Sequence, residues 1–459
     1  MALFDKESVR RVHCIGIGGI GVSALAEILI RQGFEVSGSD AESSERLLYL
    51  QAMGADVHVS HQEKHAIGAD LVVYSSAISP DNPEFSYAKA HNIPTMQRGQ
   101  LLADIMRLYF GVSVTGTHGK TTTTALLAHI CSEAGLDPTY FIGGIPSGKS
   151  SPVHLGRGDA FIAEADESDA SFLYMQSKLA IVTNIECDHM GTYADSEEML
   201  RQSFVKFLSH VDQNGAIVLC RDDENIRKIA PSLTCKAIYY GTDVDADYAI
   251  QDYRQNGLLS SANLRLPEGK IELILNLPGL YNMKNAVAAS VAAHHMGVDW
   301  PTIVKACASF CGVGRRFQAL GSVKLDGKSV QVFEDYGHHP TEVNVAYRAA
   351  KVAFPEQRVV LVFQPHRYTR TRDLMDEFTQ VLNTVDALVL LPTYAASEAV
   401  IQAATSHALF QHLALTTATC LESESTLQLT LASLLQDQDI LLFQGAGDVS
   451  AMAKMFVEK

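Results

Sequence analysis

The sequence predicts an α/β fold in three domains, and three observations carry that prediction. Short apolar runs alternate with stretches of helical periodicity through nearly all of the 459 residues. Two glycine-rich turns, GIGGIG at 16–21 and GTHGKTTTT at 116–124, each stand between an apolar run and an amphipathic one. A third, GAGD at 445–448, follows an apolar run at 440–443 and opens a last helix.

The first domain, about 1–108, starts with a strand at 12–15 and then the GIGGIG turn. The helix after it has an apolar stripe through Val22, Leu25, Ile28 and Leu29. A second strand ends at Asp40, and two more follow at 57–60 and 70–75. The second domain, about 109–313, opens with a strand at 109–114, the GTHGKTTTT turn and a helix at 125–133. Its strands at 160–164 and 180–184 end in acidic or polar residues. An antiparallel section at 249–277 interrupts the rhythm before a helix at 281–296. The third domain, about 314–459, carries strands at 330–334, 358–363, 387–391 and 440–443. The expected fold class is a Rossmann-like first domain, a central P-loop ATPase-type domain and a Rossmann-like α/β third domain.

Composition narrows the function. Hydrophobic residues make up 47% of the chain, enough for sizeable cores. No stretch approaches the ~18 apolar residues of a spanning helix, so membrane insertion is not expected. The opening MALFDKESVRR has no apolar h-region, so no signal peptide is expected. The eight cysteines are scattered without metal-ligand spacing, which predicts a reduced, cytoplasmic protein. Cys307 and Cys311 are four apart on a predicted helix and read as core. A net charge of −16 argues against a nucleic-acid surface, so an anionic nucleotide would need local positive sites.

GTHGKTTTT supplies one. Its turn aims backbone N–H groups at an anion, and the helix N-terminus adds partial positive charge. Gly116, Thr117, His118, Gly119, Lys120, Thr121 and Thr122 form the loop and its helix start. Lys120 would reach the β- and γ-phosphates, and Thr121 would offer a hydroxyl to Mg²⁺. The match is to a subtype, since Val114 stands where the general pattern has its first glycine. The bland alternative is a glycine turn capped by threonines.

In GIGGIG, Gly16, Gly18 and Gly21 fit GxGxxG, with Gly19 between them and Asp40 at the end of the next strand. Alone this predicts a dinucleotide site with Asp40 near a ribose. Any diphosphate at a helix N-terminus exploits the same geometry, a nucleotide-sugar included.

EADESDASF at 164–172 follows a strand, and Glu164, first off it, is the choice for Mg²⁺. Asp166, Glu167 and Asp169 equally suit a solvated acidic loop. TNIECDH at 183–189 offers His189 as a second metal ligand, although a lone histidine is more often structural. FEDYGHHPTE at 333–342 and FQPHRYTRTRD at 363–373 gather His338, His339, His366, Arg367 and Arg370 into a cationic surface. Arginine's planar fork suits carboxylate or phosphate. A surface ion-pair face is the alternative, and no HExxH or Cys/His spacing supports zinc.

With these strings, and SSAI at 75–78, DNPE at 81–84 and GRRFQ at 314–318, the chain resembles the Mur ligase family of peptidoglycan synthesis over nearly its whole length. The resemblance implies ATP-dependent amide synthesis. The carboxylate of UDP-N-acetylmuramate attacks the γ-phosphate of ATP, and the amine of L-alanine displaces phosphate from the acyl phosphate. A salvage ligase that adds a murein tripeptide to the same sugar ranks second. Carried over by position, Lys120 cradles phosphates, and Thr121, Glu164 and His189 hold Mg²⁺. Asn285 reads the adenine, Asp335 binds the ribose and Arg316 contacts the nucleotide. His338, His366, Arg367 and Arg370 orient the acyl phosphate and alanine. Gly16, Gly18, Gly19, Gly21 and Asp40 hold the UDP-sugar, with Ser75 and Ser76 beside them. One departure is Tyr281 in PGLYNMKNAVAA at 278–289, where the family usually has histidine. The implied partners are ATP, UDP-N-acetylmuramate and L-alanine, for a monomer or homodimer. A nicotinamide-dependent oxidoreductase would account for 1–108 alone. A non-catalytic nucleotide-binding regulator would leave 333–373 without a purpose.

Overall fold

The computed structural model describes residues 9–75, 78–188, 190–194, 196–396 and 398–458. Its chain packs into two compact units: 1–145 with 149–249 and 287–303, and 146–148 with 250–286 and 304–459. Each is described by itself.

The first unit holds a five-stranded parallel sheet in the order Asp56–Val59, Glu35–Asp40, Arg11–Ile15, Leu71–Tyr74, Thr95–Gln97. The chain builds outward from Arg11–Ile15 on one side and then crosses to the other. That reversal opens a crevice at the strands' carboxyl ends, where GIGGIG lies. Helix Ile20–Arg31 buries the expected stripe of Val22, Leu25, Ile28 and Leu29.

The same unit holds strands in the order Lys236–Gly241, Ala216–Cys220, Leu179–Val182, Phe110–Thr115, Ala160–Glu164, Thr139–Phe141, Val153–His154. All neighbours are parallel except the last pair. Leu179–Val182, Ala216–Cys220 and Ala160–Glu164 are near-continuous buried apolar runs, as strands of a parallel sheet covered on both faces are. The register matters for the site. Phe110–Thr115, which feeds the GTHGKT loop, lies between Leu179–Val182 and Ala160–Glu164. The segments TNIE and EADE therefore leave the sheet on either side of that loop.

In the second unit, Leu259–Leu266 and Gly269–Leu275 pair antiparallel, confirming the break in the α/β rhythm. A six-stranded sheet follows in the order Gln318–Leu325, Lys328–Asp335, Ile440–Gln444, Val359–Phe363, Ala387–Leu390, Ala418–Cys420. Only its first pair is antiparallel. Side chains alternate between its two cores. Leu361 and Phe363 pack with Val343 and Phe378 on one face, Val360 and Val362 with Val449 and Phe456 on the other.

Several strands were not expected: Thr95–Gln97, Thr139–Phe141, Val153–His154, Ala216–Cys220, Lys236–Gly241, Gln318–Leu325 and Ala418–Cys420. Most are very short or alternate in exposure at a sheet margin, where pairing rather than composition makes the strand. The reading of Cys307 and Cys311 as core on one helix holds for Cys307 and is corrected for Cys311. Helix Trp300–Ser309 ends before Cys311, which is exposed, while Cys307 is buried. Among the described residues no helix is long and apolar enough to cross a membrane.

Arg358 and Asp439 precede two neighbouring central strands of the six-stranded sheet and form a two-pronged pair at 3.1 and 2.6 Å. Asp439 also accepts from Gln436 N at 2.7 Å. The carboxylate is buried and the guanidinium mostly so. Asp439→Ala strands that cation and should destabilise the second unit by about 3 kcal/mol. Urea unfolding followed against the parent measures it, and an unshifted midpoint refutes a structural role for the pair.

Candidate active site

The GTHGKT loop at 116–121 is gripped by its neighbours. Gly116 has φ +129°, and a Cβ there would lie 2.2 Å from Thr183 Oγ1, so only glycine fits. Thr183 Oγ1 donates to His118 O at 2.5 Å. Asn184 holds the same residue twice, accepting from His118 N at 2.8 Å and donating to His118 O at 2.9 Å. Thr117 Oγ1 accepts from Glu186 N at 2.8 Å. Gly119, at φ +86°, caps helix Lys120–Glu133. Thr122 is buried on that helix's first turn.

Lys120 Nζ donates to Gly116 O at 2.7 Å, Thr117 O at 3.3 Å and Glu167 Oε1 at 2.8 Å. Burial would lower this ammonium, but the charges of Glu167 and Asp166 outweigh it and raise it above the ordinary lysine value. Glu167 is 3% exposed. Its reading as part of a solvated acidic loop is corrected: it is the buried counter-charge of Lys120. Burial raises its carboxyl against the pull of Lys120. The Tyr193 hydroxyl donates to the Glu167 carbonyl and fixes the turn.

Thr121 Oγ1 donates to Glu164 Oε2 at 3.3 Å, and Glu164 Oε1 accepts from Gly143 N at 2.5 Å. A hydroxyl and a carboxylate side by side are hard oxygen donors, the kind Mg²⁺ takes along with phosphate oxygens and water. Among the described residues no group of three or more His, Cys, Asp or Glu could hold a metal, so the fit rests on these oxygens. His189 lies outside the described residues.

At GIGGIG, Gly16 N and Ile17 N both donate to Ser39 O, at 2.8 and 3.0 Å. Gly18 N donates to Asp40 Oδ2 at 2.9 Å, so Asp40 braces the turn. Gly19 N closes on Gly16 O at 3.1 Å. A Cβ at Gly21 would lie 2.4 Å from Arg98 Nη1. Sequence reasoning missed Arg98, whose exposed guanidinium stands over the helix start from a remote segment. Ser75 lies beside Gly16; Ser76 lies outside the described residues.

In the second unit, Asp335 accepts from Phe317 N at 2.9 Å, Gly337 N at 2.8 Å and Gln444 Nε2 at 2.9 Å. Burial raises its carboxyl, with Arg316 pulling the other way. Arg316 stands over the Tyr336 ring at 5.0 Å. The Tyr281 phenol is raised by burial and then by the charge of Asp335, so Tyr281, Asp335 and Arg316 share one electrostatic neighbourhood. Asn285 is buried on the first turns of Leu280–His295.

The structure also brings His338, His366 and Arg370 together. The two imidazoles are 5.8 Å apart, and Arg370 Nη1 is 3.4 Å from His366 Nδ1. Tyr394, unforeseen in the sequence, stacks on His366 at 5.4 Å. Arg367 has φ +70°, a strained value for a side-chain-bearing residue, and its N–H is held by Tyr394 O at 2.9 Å. His339 is corrected out of the cationic surface. Its Nδ1 accepts from Thr341 N at 3.3 Å as the cap of helix Pro340–Ala353.

Burial, then the charges of His338 and Arg370, push His366 down to about 4. This imidazole is therefore neutral at neutral pH. The unfolded chain takes up that proton near ~6.5, so the associated stability is complete above that pH and falls away as the pH drops towards 4. A histidine NMR titration should show the His366 resonances flat from pH 8 to about 5.5. A midpoint near 6.5 would contradict the assignment.

Three family models match in order along the chain: Mur ligase family, catalytic domain, at 11–110; Mur ligase middle domain, at 114–293; and Mur ligase, glutamate ligase domain, at 315–447. A UDP-N-acetylmuramate–L-alanine ligase of Coxiella burnetii is 44% identical over 459 residues, 99% of each chain. The crystal structure of a UDP-N-acetylmuramate–alanine ligase from Thermotoga maritima is similar over 98% of each chain, with a TM-score of 0.78 and 28% identity. A murein peptide ligase from Psychrobacter arcticus shares the fold over 98% of each chain, at a TM-score of 0.70 and 21% identity. With three models matched along one α/β chain, and a relative this similar over its full length, the protein belongs to the Mur ligase family.

Proposed function

We propose that this chain is an ATP-dependent ligase that joins L-alanine to the carboxylate of UDP-N-acetylmuramate through an acyl phosphate. The observation that carries the reading is the full-length similarity to the Coxiella burnetii L-alanine ligase. The grip of Lys120, Thr121 and Glu164 around the phosphate loop supports it. On this reading 1–108 takes the UDP-sugar, 109–313 the phosphates of ATP, and 314–459 the amino acid.

Two anions must meet, so the first task is to offset their repulsion. Lys120 does so by exchanging Glu167 for phosphate oxygens, and the loop N–H groups and helix start add to it. Thr121 and Glu164 would hold Mg²⁺, which when bound supplies further positive charge to the phosphates. In the second unit, Asn285, Arg316 and Asp335 form the set assigned to the nucleoside. Arg367 and Arg370 offer guanidinium groups to carboxylate or phosphate. An imidazole near 4 is too weak a base to keep a proton taken from an ammonium at neutral pH. His366 therefore orients by hydrogen bonding, and proton removal falls to His338 or to solvent.

Phosphate release from ATP and Mg²⁺ should require both UDP-N-acetylmuramate and L-alanine. Release with a murein tripeptide in place of alanine would overturn the amino-acid assignment. Lys120→Ala should lower turnover by about 10³-fold or more. It also leaves Glu167 buried without a counter-charge, so the double variant with Glu167→Gln controls for folding. Near-normal turnover in either would remove the loop lysine from the mechanism.

A further inference from the structure

The first domain contains a polar core that the reading above does not use. Glu84, fully buried at the start of helix Pro83–Ala90, is surrounded by donors from three other segments. Oε2 accepts from Ser39 Oγ at 2.5 Å and lies 3.2 Å from His61 Nδ1. Oε1 accepts from Gln62 N at 3.2 Å and His65 Nδ1 at 3.0 Å. His13 Nε2, also fully buried, stands 3.6 Å from Oε2. Burial alone would raise this carboxyl, yet contacts from His13, Ser39 and His65 outweigh it and draw it down to about 2. Glu84 therefore stays an acceptor on both oxygens.

The cluster lies directly behind the glycine turn. Ser39, whose hydroxyl is bound to Glu84, gives its carbonyl to Gly16 N and Ile17 N. His61, Gln62 and His65 belong to the turn that follows strand Asp56–Val59, the next strand out. In open parallel sheets a nucleotide's phosphates sit at the glycine turn, and its nucleoside extends over the ends of the strands beside it. One carboxylate thus ties together the turn that would meet the diphosphate and the turn that would flank the nucleoside.

We infer that Glu84 is a positioning residue for the UDP half of the substrate, fixing the glycine turn to the 60–66 turn through Ser39 and the histidines without touching the ligand. The inference rests on the proposed UDP-sugar reading of this domain. Glutamine at 84 has nearly the same shape but turns one acceptor into a donor that faces donors. Ser39→Ala removes the hydroxyl that touches both Glu84 Oε2 and His61 Nδ1 and leaves the other contacts of Glu84 in place.

The test is calorimetric titration of the full chain with UDP-N-acetylmuramate and, separately, a non-hydrolysable ATP analogue. Glu84→Gln should bind the UDP-sugar about tenfold more weakly. ATP-analogue affinity should stay within about twofold of the parent. Ser39→Ala should shift in the same direction by less, and it carries the test alone if Glu84→Gln fails to fold. In steady state, KM for the UDP-sugar should rise with kcat little changed, a split that general loss of structure would not give. Parent-like UDP-sugar affinity in a folded variant, or equal loss of both ligands, overturns the inference. If the parent protein binds the ATP analogue and no UDP-sugar, the substrate reading fails, and the inference with it.

Discussion

An ammonium held largely out of water needs a counter-charge, and the loop at 116–120 is organised around meeting that need at Lys120. An uncompensated charge in such a place costs several kcal/mol. Glu167 compensates it, and two loop carbonyls take the remaining protons of the ammonium. The loop carbonyls are in position because Asn184 accepts from the N–H of both their peptide groups, Thr117 N and His118 N, while Thr183 and Glu186 hold the adjoining His118 carbonyl and Thr117 hydroxyl. Those residues are in position because Leu179–Val182 pairs with the strand that feeds the loop. The long-range register of the sheet is thus expressed at a single amine.

The same device recurs elsewhere. Carboxylates accept backbone N–H groups at turns: Asp40 from Gly18, Glu164 from Gly143, Asp335 from Gly337 and Phe317, Asp222 from Thr242. An ionised carboxylate can accept on both oxygens and donates from neither, so it suits a turn whose N–H groups crowd together. Part of the net charge of −16 therefore sits on partly buried carboxylates that brace turns.

Periodicity made the strand ending at Glu164, the body of the helix at 125–133, which the structure begins at Lys120, and the antiparallel interruption legible. Each is a local pattern: an apolar run, a glycine turn, an alternation. Partners were not legible. Glu167 sits in an acidic string that reads as solvated, and its pairing with Lys120 spans 47 positions. Arg98 reaches Gly21 from a different helix, and Glu84 meets Ser39 from 45 positions away. His338 and His339 are indistinguishable as neighbours in sequence. The backbone separates them, making one a helix cap and leaving the other facing His366. Val153–His154 is too short to carry a period, and it becomes a strand only because Thr139–Phe141 is there to pair with it.

A site whose groups are already satisfied binds by exchange. On the proposed reading Lys120 would exchange the Glu167 carboxylate for phosphate oxygens, and the Thr121–Glu164 hydrogen bond would give way to a cation held by both. Each exchange returns only the difference between two good interactions, so binding at these groups is weaker than their charges suggest. The rigid frame around them is not exchanged, because its hydrogen bonds run between backbone and buried side chains that no ligand replaces. Binding energy is then spent where charge develops rather than on ordering the loop, which is the condition for preorganised electrostatics to lower a barrier.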